Sequence, residues 1–495
     1  MSGLPLASAL DRATLGAVLT QTLFGRVWLV RFALAVALGA VLLLARRGAA
    51  LEAAGALLAG ALLASLAWAG HAAAEQGSDR IVHLSADAVH LLAAGAWLGA
   101  LLPLARVLAG ARRAPATLDF ATSATRRFSA MGAASVGALV LTGTASAWYT
   151  VGSVPGLFGT GYGRLLLAKL ALFAAMVALA AANRLRWTPR LRAGDESAPR
   201  RLERNAIAET ALGLAVLCVV GALGVTVPAR HTQIVWPFPY TLSGWRLVPA
   251  HPTTYFRSPV RYTADSIARG APLYLEHCAS CHGARGHGDG PAAASLAVRP
   301  PDLAEHVFHH REGDLLWWLQ HGIAGTPMPG FGDRVGEDGL WDLLDYLRAL
   351  ADADRAREMD SGVGDWRPIP APDFDFQIDE RPQQSLRDYR GEAVLLVFRA
   401  REARLRALRA AEGELRRAGV RVVALRPDPQ VAAAYALFGG VGDDVEFLID
   451  RDGTLRARWN PGESPDWSRI PELLAQVDLL RREGPHEGAP AEHVH

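Results

Sequence analysis

Six long apolar stretches in the first half of the chain constrain its fold more than any other feature. At about 1.5 Å per helical residue, each can cross a hydrocarbon core of roughly 30 Å. All six are rich in Ala, Leu and Gly, which permit close helix packing in lipid. We therefore predict an all-α bundle of six uncleaved transmembrane helices at 27–45, 51–70, 86–108, 128–149, 163–184 and 206–227.

The distribution of basic residues predicts the direction of these helices. Groups of arginines follow the first, third and fifth apolar stretches, whereas the loops at 71–85 and 150–162 carry almost no Lys or Arg. By the positive-inside rule, the odd-numbered connections face the cytoplasm. Both ends of the chain are then expected on the outer side of the membrane.

The second half of the chain has a different composition, rich in charged residues, Pro and Trp. A length of 495 residues predicts several domains. The chain has only three cysteines, two of them in a single motif, which excludes a disulfide framework. The net charge is +2 and no basic block is interleaved with aromatic residues, so nucleic acid is not an expected partner.

Histidines are expected to gather near the outer face of the bundle. His83, Asp87 and His90 share one face of the third predicted helix, while His71 follows the second helix and His231 follows the sixth. Ionisable residues at such positions are functional candidates, and imidazole suits copper or zinc. Asp87 is expected to orient His90. Hydrogen-bonded structural histidines, or a pair that ligates a b-type haem, are the alternatives.

Five stretches of the membrane region carry a family resemblance: GHAAAEQ, HLSADAVHLLAAGAWLGALLPL, RFSAMGAASVGALVLTG, GRLLLAKLALFAAMVALAAANR and VPARH. Through them, roughly residues 20–232 resemble the copper resistance protein D family. This resemblance implies copper handling at or across a bacterial inner membrane, with the lipid bilayer and copper ions as partners.

A Cys-Ala-Ser-Cys-His motif follows the membrane region. Cys278 and Cys281 are spaced to form thioethers to one haem, and His282 can ligate its iron. Met328, between two prolines in GTPMPGF, is the expected second axial ligand. The helix EDGLWDLLDYLRAL closes the segment, and residues 262–352 resemble an all-α class I cytochrome c domain with one covalent haem c. Without these surrounding features, the Cys-Ala-Ser-Cys-His motif could instead bind zinc. The segment's other histidines, mostly expected at the surface, are His277, His287, His306, His309, His310 and His321.

Alternating strands and helices then predict an α/β domain. It resembles thioredoxin-like proteins of the redoxin and Sco type over about 370–480. Ala403 and Arg406 stand where those proteins place two cysteines, and Asp444 stands near their usual cis-proline. Without a thiolate there is no thiol–disulfide exchange, so we expect a docking or structural role. The tail contains three histidines that either scavenge metal or are simply solvated: His486, His493 and His495.

These observations give a multi-domain hypothesis. We expect a bacterial inner-membrane copper-handling protein, with six spans and periplasmic termini, whose cytochrome passes electrons to a periplasmic or membrane partner and to bound copper. These features favour a transporter or electron-transfer protein over an enzyme with a turnover substrate, and they leave the enzyme question open. A membrane-anchored electron carrier or respiratory subunit, and a copper-delivery factor for an oxidase, are the alternatives. The predicted segments are 1–26 (outer N-terminal segment), 27–232 (membrane domain), 233–261 (linker), 262–352 (cytochrome c), 353–372 (linker), 373–482 (degenerate thioredoxin-like domain) and 483–495 (tail).

Overall fold

The computed structural model divides the chain into two compact units, Met1–Pro237 and Phe238–His495. Four of the candidate histidines, namely His71, His486, His493 and His495, lie outside the residues that the structure describes. The described residues are 12–44, 48–69, 77–359, 362–363, 368–377, 382–440, 442–461 and 469–483.

The first unit is helical, and six helices in its described part are long and apolar enough to cross a membrane. The prediction of six spans is therefore confirmed. A short helix, Arg12–Gln21, precedes them, and another, Val154–Gly159, lies in the fourth connection. The six long helices are Leu23–Leu44, Ala49–Ala64, Gly77–Arg113, Leu118–Thr150, Gly161–Ala182 and Ala198–Val225.

Several of these helices extend well past the predicted bounds. The third was expected at 86–108 but begins at Gly77 and ends at Arg113. Hydropathy marks only the part of a helix that suits lipid, whereas the backbone hydrogen bonds continue into polar turns at either end. The first polar turns of this helix carry His83.

Small residues permit close helix contacts in the bundle. A Cβ atom on Gly213 would lie 2.1 Å from Cδ2 of Leu98, and one on Gly95 would lie 2.3 Å from Cδ2 of Leu63. The largest buried side chain, Trp97, is 1% exposed and packs with Leu139 and Met176. This is the small-residue packing that the composition predicts.

The second unit begins with a hairpin and continues as a set of helices. The hairpin strands pair antiparallel. The first helix starts with a capping box between Thr263 and Ser266, and the last is interrupted at Gly336, where φ is 74°. The strands are Tyr240–Ser243 and Arg246–Pro249, and the helices are Ala264–His277, Ala279–His282, Leu303–His306, Glu312–His321 and Gly332–Glu358.

Gly270 fixes the crossing of the first and last of these helices. A Cβ atom there would lie 2.1 Å from the Asp342 carbonyl oxygen and 2.7 Å from Cβ of Tyr346. Arg269 donates two hydrogen bonds of 2.8 Å to the Asp342 carboxylate beside this contact. The helices that flank the cysteine motif therefore pack backbone to backbone.

A mixed five-stranded sheet follows. The Ala393–Phe398 strand pairs parallel with Val420–Leu425 and antiparallel with Val445–Ile449, which pairs antiparallel with Thr454–Trp459. Ile369–Pro370 adds the edge strand. The predicted alternation of strands and helices is present, because buried strands such as AVLLVF are joined by amphipathic helices. These helices are Glu402–Ala410, Glu412–Arg417, Pro429–Ala436 and Ile470–Arg482.

The cytochrome-like helices and the sheet share one hydrophobic core within the second unit. Thr263 bridges to Asp373, and the buried Tyr435 hydroxyl donates to the Pro372 carbonyl at 2.9 Å. Tyr274 belongs to this core, as does Phe447 of the sheet. Two regions that the sequence treats as separate domains are thus packed together.

Candidate haem site and membrane histidines

The cysteine motif forms one helical turn at the end of a buried helix. The Cys278 amide donates to the Tyr274 carbonyl, and the His282 amide donates to the Cys278 carbonyl, both at 2.9 Å. Neither Cys278 nor Cys281 forms a disulfide. Burial raises the pKa of Cys278 to about 12, which keeps this sulfur as a thiol. The turn places two thiols and an imidazole within five consecutive residues, Cys278 to His282.

The His282 side chain is suited to binding a metal. Burial lowers its pKa, which favours the neutral imidazole that a metal requires. The Pro301 backbone partly opposes this shift, and Nδ1 makes no hydrogen bond of normal geometry among the described residues. A neutral imidazole presents one nitrogen lone pair to a metal.

The loop after the motif folds back over the attachment turn. The Gly288 amide donates to the His282 carbonyl at 2.9 Å, and the Gly290 amide donates to the Cys281 carbonyl at 3.2 Å. Gly288 has a φ of 71°, and a Cβ atom on Gly290 would lie 2.4 Å from the Ser280 carbonyl oxygen. Glycines permit this approach, so the backbone around His282 is held from both sides.

Met328 lies in a hydrogen-bonded loop of the same domain. Its carbonyl accepts from the Ile323 amide at 3.2 Å, and Gly322 bridges to Pro329. The half-buried side chain packs against the core that contains Cys278 and Phe331. Two thiols, an imidazole and a thioether on a constrained loop thus belong to one small helical domain. This set of donors fits a covalently bound haem.

The membrane histidines join the third and fourth long helices. His83 is 2% exposed and stacks on Tyr149, with ring centroids 4.6 Å apart. Its Nε2 lies 3.8 Å from Asp87, which accepts a 2.9 Å hydrogen bond from Ser146. The structure thus pairs Asp87 with His83, and the expectation that it orients His90 is wrong, because the i, i+4 spacing brings the carboxylate to the earlier histidine.

His90 has a different partner. Its Nδ1 lies 2.9 Å from the Thr142 hydroxyl. His231 is exposed in the short turn Ala229–His231. Within the described part of the chain, no three or more His, Cys, Asp or Glu side chains come together as a group that could hold a metal ion. The four-histidine cluster therefore stays a prediction, since His71 lies outside the described residues.

A polar network inside the bundle is absent from the sequence-based predictions. Glu209 is 1% exposed and accepts a 2.8 Å hydrogen bond from Asn183, whose side-chain oxygen accepts a 2.7 Å hydrogen bond from Asn205. The sequence signal that could have indicated this network is an acidic residue within an apolar stretch. Asn183 lies 26 positions from Glu209 and 22 positions from Asn205, which hides the network from motif analysis.

The sheet domain has a buried ion pair beside Ala403 and Arg406. Ala403 and Arg406 are exposed on the helix Glu402–Ala410. Between them, Arg404 donates to both carboxylate oxygens of Glu446, at 2.6 and 2.8 Å. The chain has no cysteine beyond Cys281, so this region offers charge pairing in place of thiol chemistry.

Together these features define a class of protein, a polytopic membrane protein that carries a cytochrome c domain. Family models agree with this division. The cytochrome c model matches residues 267–351, the copper resistance protein D model matches 122–223, and the copper resistance protein D-like N-terminal domain model matches 1–82.

Three relatives resemble the membrane part. Copper resistance protein D of Pseudomonas syringae pv. tomato is 40% identical over 177 residues, which is 35% of this chain and 56% of that protein. Copper transport protein CutJ of Bacillus subtilis is 31% identical over 238 residues, 47% of this chain and 42% of that protein. Inner membrane protein YebZ of Escherichia coli is 32% identical over 211 residues, 42% of this chain and 70% of that protein. The chain belongs to the copper resistance protein D family.

Proposed function

We propose that this chain is a bacterial inner-membrane copper-handling protein whose cytochrome c domain transfers electrons, with bound copper as one acceptor. The observation that carries the proposal is the presence, in one chain, of a copper resistance protein D membrane region and a cytochrome c domain. Relatives named for copper resistance, copper transport and the inner membrane support the same assignment.

Four residues are proposed to hold one haem c. Cys278 and Cys281 would carry the thioether links, while His282 and Met328 would ligate the iron. When bound, the haem supplies a one-electron carrier, and His/Met ligation raises its potential relative to two histidines. The surrounding chain contributes orientation, because the loop hydrogen bonds described above fix the backbone around His282 and Met328, and the Met328 side chain packs against the core.

Copper is proposed to bind near the outer ends of the membrane helices, at His71, His83, His90 and His231. The contacts of Asp87 with His83, and of Thr142 with His90, would orient two of these imidazoles. Nitrogen ligands suit Cu(II), whereas Cu(I) is satisfied by softer donors, so reduction would favour release. The tail histidines His486, His493 and His495 would add weak binding.

The orientation follows from two arguments. Arginines accumulate in alternate connections, and covalent haem attachment takes place outside the bacterial inner membrane. We therefore assign both termini and the second unit to the periplasm. The sheet domain is proposed to be a thioredoxin-like domain without redox chemistry, and its core continuous with the cytochrome helices supports a structural or docking role.

The proposal is tested by adding Cu(II) to purified protein whose haem has been reduced and the reductant removed. One electron would leave the ferrous haem and convert Cu(II) to Cu(I), so haem absorbance should report oxidation with one copper reduced per haem. A His83→Ala/His90→Ala variant should lose copper accumulation in cells and keep its haem. A haem unaffected by Cu(II), with normal copper handling in the variant, would instead indicate a membrane-anchored electron carrier.

A further inference from the structure

Two histidines on the surface of the cytochrome c domain approach each other closely. His306 ends the helix Leu303–His306, and His310 follows the next turn, Val307–His309. Their Nε2 atoms lie 3.2 Å apart and their ring centroids 4.7 Å apart. In the metal-free protein, one nitrogen can donate a hydrogen bond to the other.

The separation of these nitrogens also suits two ligands of one metal ion. Imidazole nitrogens lie about 2.0–2.1 Å from a zinc ion, and copper takes similar distances; at ligand–metal–ligand angles of about 90–110°, two such nitrogens are about 2.9–3.4 Å apart. A metal would replace the proton shared by His306 and His310 without moving either ring far. We propose that His306 and His310 bind a Cu(II) ion at the surface of the cytochrome c domain.

The backbone that carries this pair is fixed at both ends. Asp302 caps the helix by accepting from the Ala304 amide at 2.8 Å, and the Leu303 amide donates to the Gly286 carbonyl at 2.8 Å. Val307, between the two histidines, is 3% exposed. The His310 and Trp318 rings are nearly perpendicular, with their centroids 4.6 Å apart. The pair is therefore positioned before metal arrives, which lowers the entropic cost of binding.

Exposure and donor type favour Cu(II). His306 is exposed and His310 half-buried, so water can fill the remaining positions of a tetragonal copper ion. A site with nitrogen ligands binds Cu(II) more tightly than Zn(II), Ni(II) or Co(II). The choice of copper as the natural metal rests on the proposed function, whereas the binding geometry does not.

A row of contacting rings connects this site to the Met328 loop. The ring centroids of Trp318 and His251 are 6.2 Å apart. Those of His251 and Trp317 are 5.2 Å apart, and those of Trp317 and His321 are 3.8 Å apart. His321 precedes Gly322, which bridges to Pro329. Copper held by the His306–His310 pair would thus lie at one end of a path of aromatic contacts that ends beside the loop that carries Met328.

The test is a Cu(II) titration of the full-length purified protein, followed by equilibrium dialysis and electron paramagnetic resonance. We compare wild type with His306→Ala/His310→Ala. The double variant should bind one equivalent fewer and lose a signal with two nitrogen ligands, and each single variant should bind copper at least about tenfold more weakly. Equimolar Zn(II) should leave the signal in place. The matched control is His309→Ala, an exposed histidine in the same turn, which should behave as wild type.

Three results would overturn the site: an unchanged copper stoichiometry in the double variant, an equal loss in His309→Ala, or displacement of copper by equimolar Zn(II). The haem absorbance of each variant verifies that the domain is folded. Failure of the proposed function is seen separately, because the His83→Ala/His90→Ala variant is scored by cellular copper accumulation. If that accumulation is normal while the His306–His310 signal is present, the site stands and the membrane copper proposal fails.

Discussion

Asp345 is a buried carboxylate whose replacement should change how stability depends on pH. It is 1% exposed in the long helix Gly332–Glu358 and accepts one hydrogen bond, at 2.6 Å, from Ser266 of the opening helix. Its second oxygen has no partner among the described residues. Burial raises the pKa of Asp345 to about 7, since the charged form is poorly solvated there.

The sign and size of the effect follow from linkage. The unfolded chain releases this proton near pH 3.8, whereas the folded protein keeps it until about pH 7. The folded state binds more protons within this window, so stability falls as pH rises through it. The pKa shift of Asp345 corresponds to a loss of folding stability of about 4 kcal/mol above pH 7, of which about 3 kcal/mol develops between pH 5 and pH 8.

Asp345→Asn removes the charge and keeps an acceptor for Ser266. Denaturant unfolding, followed by haem absorbance at pH 5 to 8, should show a variant whose stability gain over wild type grows by about 3 kcal/mol across this range. Asp342→Asn, on the same helix as Asp345, is the matched control, because it weakens the ion pair with Arg269 of the opening helix and should destabilise the protein. Parallel pH profiles for wild type and Asp345→Asn would refute the reasoning.

Three further changes have defined outcomes. Gly270→Ala should lower unfolding stability by about 1–3 kcal/mol in the same assay, because its methyl group would collide with the Asp342 carbonyl; wild-type stability would contradict the helix crossing. Arg404→Ala should lower the free energy of unfolding by about 3–5 kcal/mol, because it leaves Glu446 buried without its cation. Burial already raises the pKa of Glu446 to about 7, so the loss should be larger at pH 8 than at pH 5. A pH-independent loss would contradict this. Met328→Ala should keep covalent haem and lower its potential in a redox titration; an unchanged potential would exclude Met328 as a ligand.

The features that sequence predicted well are those that depend on local composition or spacing. Lipid demands long apolar helices, so hydropathy alone located the six spans. Covalent haem attachment needs two thiols and an imidazole at fixed spacing, so the motif identified the cytochrome segment that its family model matches. The sequence did not predict where helices end, because the polar turns at Gly77 and Arg113 carry no hydropathy signal.

The features that sequence missed depend on contacts between distant residues. The Arg404–Glu446 pair spans 42 positions and depends on how the helix after one strand packs beside another strand. The partner of Asp87 was assigned to the wrong histidine, because a shared helix face does not say which rotamer a carboxylate adopts. The contact between His306 and His310, by contrast, is local, because the two residues are four positions apart; it depends on how a helix of four residues runs into the following 3-10 turn.

The most direct test of the account is the intact mass of the purified full-length chain, made in a host that attaches haem to c-type cytochromes. The account predicts a mass increased by one haem, which remains bound after denaturation and is lost in Cys278→Ala/Cys281→Ala. A wild-type chain with the mass of the bare polypeptide would contradict it.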